Sequence, residues 1–178
     1  MTTAPAVAQH LIRLAADGPE PEPMTSMKLH KLLYYCQGWH LAWYGVPLFP
    51  ERIVAWKHGP VVPDVYAQPW GQGSAELSDP MLPLELSPPD RAAVEQVWGY
   101  YRQFSACGLR EKSHAESPWR DHFKPDSGGR GNQTIPVEVL KVFFGGELEK
   151  RTGDRPGSWG EIDGELVPLD SLKRVLSW

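Results

Sequence analysis

Apolar residues recur at three- and four-residue steps along much of this chain, separated by short segments rich in glycine, proline and polar side chains. The longest such stretch begins at Met27. Leu29, Leu32, Leu33, Cys36, Trp39 and Trp43 fall on one side of a 3.6-residue repeat and predict an amphipathic helix. Thr25 suits its N-cap, and Met24 can pack on Leu29 as a hydrophobic staple. Gly45 stands where a left-handed cap ends a helix, and Pro47 blocks continuation. The rest of the chain is read as organised around this helix.

The same spacing predicts a first helix over residues 5 to 17, with Val7, Leu11, Leu14 and Ala15 on one face and Gly18 as its stop. The PEPEP run (19 to 23) is an extended spacer. Residues 52 to 56 are branched and aromatic and suit a short strand. Gly59-Pro60 makes a turn, with Pro60 opening a helical turn that carries Val61, Val62, Val65 and Tyr66. Residues 69 to 86 lack periodicity and read as loop. Ser87, Pro88, Pro89 and Asp90 open a second long helix with Val94, Val97, Trp98, Tyr101 and Phe104 inward and Gly108 as its end. A short helix follows over about 109 to 114, and Ser117-Pro118 caps another turn. Residues 124 to 133 read as a glycine-rich connector. Pro136 starts a helix with Val139, Leu140, Phe143 and Phe144, ended by Gly145-Gly146. Asp163-Gly164 marks a hairpin, and Asp170 caps a terminal helix bearing Leu172, Val175, Leu176 and Trp178.

The pattern therefore predicts a mainly α, compact multi-helix domain with a small antiparallel β element and a C-terminal hairpin-plus-helix appendage. Residues 1 to 146 form the helical domain, and 147 to 178 form an extension packed on or beside it. At 178 residues, with 41% hydrophobic and 22% charged residues, one self-sufficient core is expected. A formal net charge of −4 disfavours non-specific phosphate binding and makes a nucleic-acid role the weaker reading. Two cysteines, Cys36 on the apolar face and Cys107, are too few for a disulfide scaffold, and a reducing cytoplasm is the natural compartment. No apolar run reaches membrane-spanning length, and residues 1 to 17 do not read as a signal peptide.

Few residues invite chemistry. His114-Ala115-Glu116 matches the opening of the zinc deaminase signature, but both cysteines lie upstream, so the ligand set is incomplete. A looser metal set of Cys107, His114, Glu116 and His122 has no recognised spacing; hydrogen bonding of His114 and Glu116 across the helix junction at Pro118 is the simpler reading. Gly128 to Asn132 is not a P-loop, and no nucleophile elbow is present. No catalytic constellation and no cofactor are expected. Lys57-His58-Gly59-Pro60 offers donors beside Trp56 and Tyr66 and suits an acidic partner segment; the alternative is that Gly-Pro only makes a turn and the two rings fill core. Tyr34, Tyr35, Trp39, His40 and Trp43 wrap further round the long helix than one buried stripe needs. They are interface anchors, or else the helix is covered on all sides. Lys28 and Lys31 read as a solvated face.

MKLHKLLYYCQGWHLAWYGVPLF, IVAWKHGPVVPDVY, LREKSHAESPWRDHF and IPVEVLKVFF, in that order, resemble the successive blocks of the Panacea domain of SocA-like antitoxins and phage-associated proteins. KHGPVV and SHAESPW are the most specific parts, and the resemblance covers about residues 5 to 145. It implies an antitoxin of a toxin–antitoxin pair that neutralises a cognate toxin protein by direct contact. The alternative it implies is a proteolytic adaptor delivering the toxin to a cytoplasmic protease. Residues 147 to 178 lie outside the shared blocks and either supply partner-specific contacts or complete the core. The candidate partner-binding residues are Tyr35, Trp39, Trp56, Lys57, His58, Tyr66, His114, Trp119, Trp159 and Trp178.

Overall fold

Thr25 accepts a hydrogen bond from the Lys28 amide, and Gly45 takes a left-handed φ of 75°; between them runs helix α2, Ser26–Tyr44. Both ends fall where the cap residues place them. In the computed structural model, which describes residues 2–17, 23–68, 70, 76–80, 85–125, 130–153, 159–162 and 165–168, α2 is the axis of the fold. Every residue from Lys28 to Trp43 is buried. Helices α1 (Ala4–Ala16), α4 (Pro88–Tyr101), α5 (Ala106–Ala115) and α7 (Val137–Thr152) pack around it. The helix is thus covered on all sides, and Tyr34, Tyr35, Trp39, His40 and Trp43 belong to the core. Hydrophobicity all round a helix is the sequence signature of this position.

Polar residues on such a helix need partners inside the protein. Gln37 accepts from the Leu48 and Phe49 amides and donates to the Phe49 carbonyl, pinning the chain that leaves α2. His40 bridges the Val46 carbonyl and Asp90. Lys28 and Lys31 are buried as well, against the solvated face expected for them. The Lys28 ammonium reaches the Arg102 carbonyl at 2.8 Å, and Lys31 reaches that of Pro60 at 3.1 Å. Long stems let lysines line a buried face while the head finds an oxygen. Gly38 is the point of closest approach to α7: a Cβ there would sit 2.1 Å from the Phe144 ring.

A three-stranded antiparallel sheet, in the order β2-β1-β3, lies at one end of α2. Strand β1 (Ile53–Trp56) is the predicted one; β2 (Gly59–Val61) and β3 (Gln133–Ile135) are not. Pro60 sits opposite Ala55 in β2 rather than opening a helix, and the turn is Lys57-His58. Proline is tolerated because β2 is an edge strand. The helical turn α3 (Pro63–Tyr66) takes Pro63 in its first turn instead. Strand β3 pairs Ile135 with Ile53 and is too short to carry a periodicity of its own.

Helix α4 starts where Ser87 accepts from the Asp90 amide and buries Val94, Val97, Trp98 and Tyr101. Gly108 does not end it. The chain breaks at residues 102–105, and Ser105 caps α5 by accepting from the Gly108 amide. Helix α6 (Ser117–Arg120) begins one residue before the predicted proline start, with Glu116 at its N-cap. Helix α7 runs through Gly145-Gly146 and ends at Gly153, φ 77°. Each mid-helix glycine costs about 1 kcal/mol against alanine, which the packing of α7 along α2 offsets. The line drawn between residues 146 and 147 therefore falls inside a helix. The predicted hairpin is β4 (Trp159–Ile162) paired with β5 (Glu165–Pro168), lying against α2 and α4. In the segment read as loop, Glu76 bridges Thr25 and Leu77 donates to the Met24 carbonyl. The Gly18 stop, most of the PEPEP spacer and the terminal helix from Asp170 to Trp178 lie outside the described residues. Among the described residues, no helix is long and apolar enough to cross a membrane.

Candidate functional site

The β1–β2 turn is held from several directions. Gly59 adopts φ +103°, which side-chain-bearing residues rarely reach, and a Cβ there would lie 2.3 Å from Cε of Lys31. Lys31 bonds the Pro60 carbonyl just beyond it, and the Val62 amide donates to Nδ1 of His30 at 3.3 Å. From α6, the Trp119 indole donates to the Trp56 carbonyl at 2.8 Å. From the segment before β3, the Arg130 carbonyl accepts from the Lys57 amide at 2.7 Å. With the backbone fixed on both sides, Lys57 and His58 stand exposed at the tip.

Below the tip lies a cavity of about 430 Å³ lined by His30, Lys31, Trp56, Lys57, Tyr66 and Arg130, among others. Trp56 and Tyr66 meet edge-on at 5.0 Å and 77°, and the Arg130 guanidinium lies 5.8 Å over the Trp56 ring. No Asp or Glu is among the lining residues described. Burial pushes the Lys31 ammonium down to about 7, and the neighbouring Arg110 adds to the fall. His58 is lowered by the same two causes in the same order, with Lys57 and Lys31 contributing. His114 falls to about 4 through burial, then Arg110, Lys31 and His58. Its ring stacks flat on Trp119, 3.6 Å away and 3° from parallel.

A second charge, half-buried, lies against α2 but keeps different company. Glu116 accepts from the Tyr34 hydroxyl at 2.8 Å and the Tyr35 hydroxyl at 3.2 Å. Burial raises its carboxyl to about 7, while the two hydroxyls pull in the other direction. Tyr35 stacks on Tyr101 at 4.0 Å, and the Trp39 indole donates to the Tyr101 hydroxyl at 2.9 Å. Arg151 covers the Trp39 ring at 4.8 Å and lines two small clefts of about 180 and 280 Å³ that share Trp39, Tyr101 and Arg151.

The structure thus gathers Trp56, Lys57, His58 and Tyr66 around one pocket, with His114 and Trp119 supporting the turn. Tyr35 and Trp39 lie in the aromatic core around Glu116, away from that pocket. Trp159 begins β4, and its side chain and Trp178 lie outside the described residues. Glu116 does hydrogen-bond, to α2 rather than to His114, whose partner is a ring. The Cys107, His114, Glu116 and His122 set does not gather: among the described residues, no three or more His, Cys, Asp or Glu converge as metal ligands would. Sequence reasoning missed His30, Lys31 and Arg130. Lys31 carried one signal, a cation embedded among leucines and tyrosines; Arg130 carried none, because it sits in a glycine-rich connector.

A family model described as "Antitoxin SocA-like, Panacea domain" matches residues 29–120, from α2 through α6. No curated protein and no solved structure matches the chain.

Proposed function

The chain belongs to the SocA-like antitoxin family through its Panacea domain, and from that premise we propose that it neutralises a cognate toxin protein by binding it directly. The observation that carries this reading is the Lys57-His58 tip, exposed above Trp56 and Tyr66 and rigidly backed by α2, α6 and the Arg130 segment. Aromatic anchors beside a preorganised polar tip make an interface that loses little entropy on docking. On a protein with net charge −4, a cationic tip selects an acidic segment of the partner and rejects basic ones. The action is occlusion, with no reaction of the chain's own.

The test is co-expression with the product of the adjacent gene. That product should arrest growth alone, and this chain should restore growth and co-purify with it. Lys57→Glu should weaken the complex about tenfold or more with the fold intact. Rescue that vanishes when a cytoplasmic protease is deleted would point to an adaptor instead. Rescue without any complex would end the reading.

A further inference from the structure

We propose that the pocket beneath the β1–β2 turn is a binding site for a small organic phosphate, distinct in kind from the protein interface at its rim. Three independent features converge there. The first is charge. Lys31, Lys57 and Arg130 line one cavity, Arg110 acts on Lys31 from α5, and no carboxylate is among the described lining residues. The chain as a whole carries four more acidic than basic side chains, 22 against 18. Cations gathered in one concavity of an acidic protein focus potential there. A phosphate, with several acceptor oxygens, matches the Lys31 and Lys57 ammonium groups and the Trp56 indole N–H that face this cavity.

The second feature is unsatisfied donor capacity. Lys31 is buried, with one backbone carbonyl as its hydrogen-bond acceptor although an ammonium offers three N–H groups. The Trp56 indole N–H, on the same wall, is buried and has no hydrogen-bond partner among the described residues. Buried donors left open in a polar cavity mark a place for an acceptor. The third feature is size and wall chemistry. About 430 Å³ exceeds what a bare phosphate fills and lies within the range of small-molecule sites. Trp56, Tyr66 and Met27 supply apolar walls for the organic portion, and the cations engage the phosphate end.

The site is also preorganised. Gly59 lets the backbone close onto Lys31, and the Trp119 and Arg130 contacts hold Trp56 and Lys57 in place without a ligand. This inference concerns the isolated chain and does not depend on any toxin.

The test is a titration of the purified full-length protein with adenosine monophosphate and, separately, pyrophosphate at low ionic strength, followed by amide and indole NMR. Both probes should give saturable shifts confined to the Trp56 indole and the amides of Lys57, His58 and Gly59. Lys31→Met should weaken binding about tenfold or more, as loss of a charge-assisted contact does. Because a core lysine variant can misfold, Lys57→Gln and Arg130→Gln, both at exposed positions, serve as the second arm, each weakening binding about threefold or more. Absence of saturable shifts with either probe overturns the proposal. So does undiminished binding by folded Lys57→Gln and Arg130→Gln proteins, or shifts that map to the Trp39 clefts.

Discussion

Lys31, fully buried, and Glu116, half-buried, are charges of opposite sign, both held against α2, and they do not pair with each other. Glu116 is answered from within the chain by two tyrosine hydroxyls, where it lines the cleft of about 280 Å³ with Tyr101, Phe144 and Arg151. Lys31 is answered by one carbonyl, sits beside Arg110, and faces a cavity with further cations. A buried charge that the fold satisfies belongs to the scaffold; one that the fold leaves open onto a cavity belongs to a site. The comparison divides the molecule into an aromatic scaffold on one side of α2 and a receptive turn on the other.

The sharpest way to separate the two is to damage each. Phe144→Ala removes the ring that fits over Gly38 and touches Tyr34, Tyr35 and Trp39. It should cost about 3–5 kcal/mol by denaturant titration. Gly59→Ala strikes the other side, forcing a side chain at φ +103° and into the Lys31 stem. It should cost about 2–3 kcal/mol and also disable the turn in the co-expression assay. A loss below about 1 kcal/mol would mean that the turn is not braced by Lys31.

The two charges should also part by pH. Glu116 has a folded-state value of about 7 against an ordinary 4.5, so the folded protein holds this proton more tightly than the unfolded chain. Its contribution is fully present below 4.5 and is lost as pH rises to about 7. Glu116→Gln should therefore gain about 1–2 kcal/mol over wild type at pH 8 and nothing at pH 4, allowing for partial solvent contact. Lys31 runs the other way: its folded value of about 7 lies below the ordinary 10.5. Its contribution is complete above 10.5 and is lost as pH falls through about 7. Lys31→Met should flatten the wild-type stability profile between those values, leaving the Glu116 limb untouched. The smallest stability effect belongs to Lys57→Glu, within about 0.5 kcal/mol because the side chain is exposed, although its effect on partner binding is large.

Cap residues and glycine stops are local chemistry, and they located α2, the start of α4 and the β4–β5 hairpin from the chain alone. Local signals failed where packing overruled them. Gly145-Gly146 reads as a stop, yet α7 continues because its Leu140, Phe144 and Leu148 side is buried, with α7 packed along α2, and α7 meets no left-handed residue until Gly153. Pro60 reads as a helix start, yet an edge-strand position accepts it. Within the site, Trp56, Lys57, His58 and Tyr66 were legible because aromatic and cationic residues flank a Gly-Pro pair. His30 and Arg130 were not, since their part depends on segments distant in sequence meeting at the turn.

What the sequence by itself determined is the order of helices, their caps and the family blocks, because hydrophobic spacing and end chemistry act over a few residues. Which charge against α2 would find its partners within the chain and which would be left with one carbonyl was decided only in three dimensions. Burial turned two lysines read as solvent-facing into internal cations, and β pairing across some eighty residues brought Arg130 to Trp56. The field at a charge is set by everything packed around it, and a linear chain does not specify those neighbours until it closes.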